Sequence, residues 1–210
     1  KYFQKEIINI RIFLRMKTKI WIVRHTETIG NIEKRLTGRK DYEVTENGKK
    51  LVSLLTQELG NIKFDKAYSS PSTRAIATIE PLATKNKLTI ERVNGLAEMY
   101  FGIYDGWKWE EVNKVQPEIK EQQRNINEIY GNPEQESMEE VAERMYRTIL
   151  QIANANIGKN ILISSHGVAI EAFLRKIVGL PFKEEREKYC QYHVAINEVE
   201  FEENSFSIQR

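Results

Sequence analysis

Short apolar runs alternate along this chain with longer segments in which apolar residues recur every three or four positions. The short runs predict buried strands, and the longer segments predict amphipathic helices. The predicted strands are Lys19–Val23, Phe64–Ser69, Leu88–Val93 and Asn160–Ser164, with a closing hairpin formed by His193–Phe201 and Phe206–Ile208. This alternation predicts an α/β fold, a three-layer sandwich in which a mostly parallel sheet has helices on both faces.

The predicted helices carry start and stop signals at several of their ends. A capping box at Ser137–Glu140 opens a long amphipathic segment, and Gly60 follows the last apolar position of another. We expect Pro81 to kink or break the helix in which it lies, because proline lacks an amide hydrogen. With their flanking residues, the helices are predicted at Thr45–Gly60, Ser70–Lys85, Ser137–Asn156 and Gly167–Val178.

The composition is that of a globular protein with one sizeable core. The chain has 210 residues, of which 40% are hydrophobic and 30% charged, and its net charge is +2. So small a charge gives no bulk attraction to nucleic acid or to a membrane, and no apolar run approaches the roughly 18 residues of a membrane span. Cys190 is the single cysteine, which excludes a disulfide framework, and we expect a cytoplasmic protein.

We predict a single domain, residues 17–210, with an extension before it and an insertion within it. The predicted extension, residues 1–16, is either a native basic leader or, if Met16 is the true start, an upstream segment of residues 1–15 that does not belong to the protein, and the sequence leaves both open. Residues from about 95 to 135 are less regular than the rest, which predicts a cap or insertion near the functional site.

Polar and charged side chains are concentrated where the predicted strands end. Arg24 and His25 end the first strand, Arg74 follows the second, Glu98 follows the third and His166 ends the fourth. Ligands of open α/β sheets bind beyond the carboxyl ends of the strands. Because parallel strands end at the same edge of a sheet, we expect these five side chains to meet there.

Two arginines, two histidines and one glutamate suit a phosphoryl group. Arginine offers bidentate donors to phosphate oxygens, neutral imidazole is a nucleophile at neutral pH, and a carboxylic acid can protonate a departing oxygen. The sequence has no P-loop for nucleotides, no HExxH motif and no GxSxG elbow around Ser165-His166. His25 and His166 could still ligate zinc, but no third ligand lies at a recognisable spacing.

Five segments, in order, resemble the motifs of the histidine phosphatase superfamily, the phosphoglycerate-mutase-like enzymes. They are Arg24–Thr28 with Asn31, Gly38–Asp41, Tyr68–Thr78, Leu96–Gly106 and Ser165–Gly167. The resemblance is to the phosphatase branch, which includes broad-specificity phosphatases and alpha-ribazole phosphatase. Thr26 departs from the family's usual glycine. Because a β-branched residue adopts a positive φ with difficulty, we expect either an ordinary backbone conformation or a slight backbone shift there.

The resemblance implies a metal-independent phosphomonoester hydrolase that needs no cofactor and acts on a small phosphorylated metabolite. His25 would be the nucleophile that forms a phosphohistidine, and Glu98 the acid that protonates the leaving oxygen. No nucleic-acid or membrane partner is expected, and the chain is predicted to be a monomer or a homodimer.

The resemblance also assigns the remaining site residues. Arg24, Arg74 and His166 would be catalytic by stabilising charge in the transition state. The predicted phosphate- and substrate-binding set is Arg24, Asn31, Arg39, Arg74 and His166. His193 lies in the predicted hairpin, and we interpret it as structural.

Two alternatives remain, which are a phosphoglycerate mutase and an inactive phosphate-binding module on the same fold. Met99 and Tyr100 follow Glu98 where the mutase branch typically has Arg-His. Fewer cations would hold a bisphosphate less well, so the sequence favours the phosphatase.

Overall fold

The computed structural model describes residues 16–115, 134–181 and 189–210. All but the last residue of the predicted extension 1–16, and residues 116–133 of the predicted insertion 95–135, lie outside the described residues. Within the described ranges, no helix has the length and apolar character needed to cross a membrane.

Six strands form one sheet, in the spatial order β3-β2-β4-β1-β5-β6. In sequence they are β1 (Thr18–Arg24), β2 (Lys66–Ser69), β3 (Ile90–Arg92), β4 (Asn160–Ser165), β5 (Ile196–Glu202) and β6 (Ser205–Ile208). The first four pair in parallel, whereas β5 runs antiparallel to both β1 and β6. The predicted mostly parallel sheet is therefore confirmed.

Helices cover both faces of this sheet. They are α1 (Ile29–Ile32), α2 (Glu46–Leu59), α3 (Thr73–Lys85), α4 (Trp109–Val115), α5 (Met138–Asn154) and α6 (Gly167–Val178), with 3₁₀ turns at Asn94–Leu96 and Gly102–Tyr104. Ile20 and Ile22 of β1 belong to the core that contains α5 and α6, whereas Trp21 and Val23 belong to the core that contains α2 and α3. Because side chains alternate along a strand, a central strand buried on both faces is continuously apolar, and the three-layer prediction is confirmed.

Helix α3 continues through Pro81, so of the predicted kink or break, the break is wrong. Proline removes one backbone hydrogen bond, but Ile79, Leu82 and Ala83 on either side of it are buried against the sheet. Tertiary packing of this apolar face holds the helix together where local propensity would end it.

The closing hairpin is confirmed, although its first strand begins later than predicted. Glu203 and Asn204 have φ values of 49° and 62°, as a two-residue hairpin turn requires. The strand predicted from His193 begins at Ile196, because Val194 has a φ of 53° and interrupts the extended backbone. His193 therefore lies in a turn before β5 and not in the hairpin.

Candidate active site

Two predicted site residues follow neighbouring central strands of the sheet. In the parallel pairing of β1 with β4, Arg24 lies opposite Ser165, so the next residues, His25 and His166, reach the same edge. The backbone N–H of His25 donates to the carbonyl oxygen of Ser165 at 2.9 Å. The centroids of the two imidazole rings are 5.2 Å apart. The sheet register thus brings these histidines together.

The His25 imidazole is held in one tautomer and in its neutral form. Its Nδ1 lies 2.7 Å from the carbonyl oxygen of Thr26, which can only accept, so Nδ1 carries the proton and Nε2 keeps its lone pair. Burial lowers the pKa of His25 well below its usual value, and the charges of Arg74 and Arg24 lower it further. A buried imidazole with a free Nε2 lone pair is chemically suited to attack phosphorus.

Thr26 fits beside His25 with an ordinary backbone conformation, because its φ is negative. Its side chain is fully buried, and its hydroxyl donates to the carbonyl oxygen of Gly48 at 2.8 Å. The backbone N–H of Thr26 donates to the hydroxyl of Thr78 at 2.9 Å. The first of the two expectations for this residue holds, and its hydroxyl ties the end of β1 to helix α2.

Arg74 lies in the first turn of α3, and its side chain is fully buried. Its two terminal nitrogens donate to three carbonyl oxygens of segment 37–41 and to the Asp41 carboxylate, at 2.9–3.0 Å. One of them also lies 3.2 Å from Nδ1 of His166. The remaining nitrogen, Nε, is buried and has no hydrogen-bond partner in the described part of the chain. The protein thus fixes the two terminal nitrogens of this guanidinium group, and the Nε–H remains available as a donor.

The Asp105 side chain fixes the segment 37–41, which contacts Arg74. Its carboxylate accepts the backbone N–H groups of residues 38–40 at 2.8–3.1 Å. Gly38 is required there, because a Cβ on it would lie 2.5 Å from the carbonyl oxygen of Met99 and 2.8 Å from Asp105 Oδ1. The carbonyl oxygens of this pinned segment are therefore fixed where they accept from Arg74.

His166 is the neutral partner of Arg74. Because its Nδ1 faces the Arg74 donor, Nδ1 must accept, and its proton resides on Nε2, which lies 2.7 Å from the hydroxyl of Ser70. Burial lowers the pKa of His166 well below its usual value, and the nearby charge of Arg74 adds to this effect. His166 therefore presents an N–H donor without a full positive charge.

Arg24 lies against the first residue of α6. A Cβ on Gly167 would lie 3.4 Å from its Nε, an ordinary van der Waals contact, so the guanidinium group is adjacent to the start of the helix. One terminal nitrogen donates to the carbonyl oxygen of Gln191. The Nε of Arg24, like that of Arg74, is buried without a hydrogen-bond partner among the described residues. A buried donor left unpaired costs about 1–3 kcal/mol, and an anion accepting from both arginines would remove that cost.

Glu98 lies between the third strand and the N-terminus of α6. Its carboxyl group accepts backbone N–H groups from Met99 at 2.8 Å, Ala169 at 2.9 Å and Val168 at 3.2 Å. The last two lie in the first turn of α6, so Glu98 caps a helix whose own N-cap residue makes no side-chain cap. Burial raises the pKa of Glu98 above its usual value, although these backbone donors oppose the rise. The group is thus protonated to a higher pH than an exposed glutamate.

Asn31 and Arg39 are placed differently from each other. Asn31 lines the cleft, and its Oδ1 accepts from the backbone and hydroxyl of Thr28 at 3.0 and 2.9 Å, so these bonds leave its amide nitrogen unused. Arg39 is not part of the cleft wall, and its terminal nitrogen donates to Glu136 at 3.2 Å. Its charge still contributes to lowering the pKa of His166, so it lies near the centre.

A cleft of about 410 Å³ is lined in part by Arg24, Asn31 and Glu98. That volume suits a small molecule. Its walls include polar and charged groups together with two aromatic rings: Arg24, Asn31, Lys34, Arg35, Glu98, Phe101, Trp109, Glu171 and His193. His25, Arg74 and His166 are buried and not among its wall residues, so we call these three the floor of the site.

His193 is a cleft residue that the sequence analysis interpreted only as structural. Its ring centroid is 6.2 Å from that of His25, and its Nε2 is buried without a hydrogen-bond partner in the described chain. The antiparallel pairing of Ile196 with Val23 brings the turn before β5 to the edge where β1 ends. The sequence did contain a signal for this placement, a histidine just before a strand that pairs antiparallel with β1. It was missed because β5 was predicted to begin at His193, whereas it begins at Ile196.

Within the described ranges, no three His, Cys, Asp or Glu side chains form a group that could hold a metal ion. The side chains around His25 are instead positively charged or neutral, because burial and the arginine charges lower the pKa values of His166 and His193. Such a set of donors suits an anion.

The strand order, with a histidine after each of the two central parallel strands, defines an α/β protein of the phosphoglycerate-mutase-like fold. A sequence profile of the histidine phosphatase superfamily (branch 1) matches residues 20–210. The chain belongs to this family.

Its relatives include proteins with different names. Probable phosphoglycerate mutase GpmB of Yersinia pestis is 27% identical over 186 residues, which cover 89% of this chain and 86% of GpmB. YhfR of Bacillus stearothermophilus has a TM-score of 0.84 at 22% identity, covering 91% of this chain and 95% of YhfR. A mycobacterial glucosyl-3-phosphoglycerate phosphatase has a TM-score of 0.81 at 18% identity, covering 92% and 97%. These two structural likenesses show a shared fold.

Proposed function

We propose that this chain is a phosphomonoester hydrolase that acts on a small phosphorylated metabolite through a phosphohistidine at His25, without a metal ion. The observation that carries the proposal is the pair of buried Nε–H groups, one on Arg24 and one on Arg74, that lack a partner in the described chain. Both guanidinium charges lie close enough to His25 to lower its pKa. A phosphoryl group in contact with both would be next to a neutral nucleophile.

In the first step, Nε2 of His25 attacks phosphorus while the bond from phosphorus to the leaving oxygen breaks. The proton of Glu98 passes to that oxygen, so a neutral alcohol departs. Arg24, Arg74 and His166 donate to the phosphoryl oxygens, where negative charge is spread in the transition state. The raised pKa of Glu98 supports this role, because it increases the protonated fraction near neutral pH.

In the second step, water attacks the phosphorus of the phosphohistidine and the N–P bond breaks. The Glu98 carboxylate takes a proton from the water, which restores the acid for the next cycle. His25 is released neutral, and inorganic phosphate leaves the cleft. Asn31 and Arg39 are proposed to contact the phosphate and the rest of the substrate, respectively.

The second candidate is a phosphoglycerate mutase, and the observation that favours it is the similarity to GpmB. A mutase must keep a bisphosphate in place while it reorients. Met99 is fully buried in the core and Tyr100 is neutral, so neither residue after Glu98 offers a cation for the second anionic group. This supports the hydrolase as the first choice.

The two candidates are separated by incubation with 3-phosphoglycerate and a catalytic amount of 2,3-bisphosphoglycerate, alongside a panel of phosphomonoesters. We expect inorganic phosphate from at least one monoester and little 2-phosphoglycerate. Rapid formation of 2-phosphoglycerate with negligible phosphate release would establish the mutase instead. Hydrolysis that is lost with EDTA and restored by a divalent metal would contradict the metal-free mechanism.

A further inference from the structure

Arg144 of α5 divides its guanidinium group between Glu136 and the segment that carries Glu98. Its Nε and one terminal nitrogen form a bidentate pair with Glu136, at 2.8 and 2.9 Å. The other terminal nitrogen donates to the carbonyl oxygens of Gly95 and Ala97 at 3.0 and 2.9 Å, and the carbonyl oxygen of Glu98 lies 3.5 Å from the paired nitrogen. All five N–H groups of the arginine are thus directed at Glu136 and at the backbone just before and at Glu98.

Glu136 also contacts the backbone on the C-terminal side of Glu98. Its Oε2 accepts the backbone N–H of Tyr100 at 2.9 Å, and its own N–H donates to the carbonyl oxygen of Tyr100 at 3.1 Å. The same Oε2 accepts from the Arg39 side chain at 3.2 Å. One carboxylate therefore joins the segment that carries Glu98, the Arg144 side chain and the segment that carries Arg39.

Helix α5 is also unusually close to this segment. A Cβ on Gly95 would lie 1.9 Å from the hydroxyl oxygen of Thr148, so only glycine permits the contact. At the carboxyl end of β4, the hydroxyl of Ser165 donates to the carbonyl oxygen of Leu96 at 2.8 Å. The backbone around Glu98 is therefore held mainly by side chains, together with one isolated antiparallel bridge between Phe101 and Gln135.

We propose that the Glu136–Arg144 ion pair is the positioning element of the reaction: it fixes the backbone of Glu98 so that the carboxyl group reaches the leaving oxygen, and it holds the Arg39 side chain through Glu136. The inference rests on the proposed role of Glu98 as the acid. Neither residue touches the substrate or phosphorus. Their effect on the rate passes through Glu98 and Arg39.

The distinguishing measurement is the dependence of the rate on the leaving group. We define the selectivity ratio as kcat/KM for p-nitrophenyl phosphate divided by kcat/KM for glycerol 1-phosphate, because the first leaving group needs little protonation and the second needs much. Glu98→Gln sets the reference, and we expect it to raise the ratio by about 10²-fold or more. Since a displacement of about 1 Å can cost about 10²-fold, Arg144→Met is expected to raise the ratio by about 10- to 100-fold.

Two milder variants test the same point if Arg144→Met does not fold. Arg144→Lys keeps the charge but loses the bidentate fork and the carbonyl contacts, and Glu136→Gln keeps the shape but loses the charge. Each is expected to raise the ratio by about 3- to 10-fold, mainly through kcat for glycerol 1-phosphate. The matched control is Arg147→Met on the same helix, whose exposed ion pair with Glu143 is one turn away. Its ratio should equal that of the unmodified protein.

The double variant Arg144→Met/Glu98→Gln shows whether the two residues act as one unit. If Arg144 acts through Glu98, the selectivity ratio of the double variant will not exceed that of Glu98→Gln alone. Equal losses on both substrates in the Arg144 and Glu136 variants, while Glu98→Gln still raises the ratio, would overturn this inference alone. An unchanged ratio in Glu98→Gln would overturn the proposed role of Glu98 and the inference with it.

Discussion

The floor of the site and the segment that carries Glu98 are built in different ways. On the floor, His25 and His166 each follow a central strand, and the pairing of β1 with β4 sets their separation. Glu98 lies beyond a strand of three residues and a 3₁₀ turn, and its position depends on α6, Glu136 and Arg144.

This difference in construction predicts that the floor residues and Glu98 have different roles in the reaction. In the proposed mechanism, groups on the floor contact the phosphoryl group, which every phosphomonoester shares, so their loss should affect all substrates alike. Glu98 is proposed to act on the leaving oxygen, which differs from one substrate to the next, so its loss should change the preference among substrates. The predictions below test this contrast, from the largest expected effect to the smallest.

Replacement of His25 by alanine should remove nearly all activity on every substrate, by about 10⁶-fold if His25 is the nucleophile. Quenching of the unmodified protein with alkali during turnover should trap an acid-labile, base-stable phosphate on His25. The circular dichroism spectrum of the variant should be unchanged, because β1 keeps its pairing on both sides. A variant that folds and keeps more than a few per cent of the activity would contradict the assignment.

Arg74→Lys should lower kcat/KM by about 10²–10³-fold on p-nitrophenyl phosphate and on glycerol 1-phosphate equally, because a floor residue stabilises charge common to both. The selectivity ratio should stay constant, in contrast to Glu98→Gln. If the ratio instead rises with Arg74→Lys, the division between floor and leaving-group chemistry is wrong. The same exchange at an exposed position, Arg147→Lys, is the control and should change neither rate.

The two floor histidines should make the protein less stable in acid. Their folded-state pKa values lie well below the unfolded value of about 6.5, so below that pH the unfolded chain binds protons that the folded chain does not. The free energy of unfolding should therefore fall with decreasing pH below about 6.5, by up to about 1.4 kcal/mol per pH unit for each histidine.

Urea denaturation at pH 7 and pH 5 measures this loss, and His25→Gln should reduce it, because glutamine does not titrate. An equal loss in the variant and the unmodified protein would show that His25 does not remain neutral in the folded state.

Thr26→Val should have the smallest effect, a loss of about 1–3 kcal/mol in the free energy of unfolding, because the carbonyl oxygen of Gly48 loses its buried donor. Rates on both substrates should change by less than about threefold, since Thr26 contacts neither the proposed phosphate position nor Glu98 by its side chain. Urea denaturation and initial rates measure the two effects, and a large loss of rate without loss of stability would give Thr26 a direct role.

Local patterns in the sequence were enough to predict the strands, most helices and the strand-end residues Arg24, His25 and His166. An apolar run followed by charged residues indicates a strand end wherever it occurs, because it depends on neighbouring positions only. At Pro81, where local propensity predicted a kink or a break, the helix is not broken, because burial of its apolar face holds it together.

The sequence by itself determined the fold class, the floor histidines and the order of the motifs, since each depends on residues close together in the chain. Only the tertiary structure decided that His193 lines the cleft, that Glu98 caps α6 some 70 residues away, and that Arg144 and Glu136 support it. These contacts join segments whose separation leaves no periodic signal. They exist because packing of helices on both faces of a parallel sheet brings the strand ends, the helix N-termini and the connecting segments to one edge.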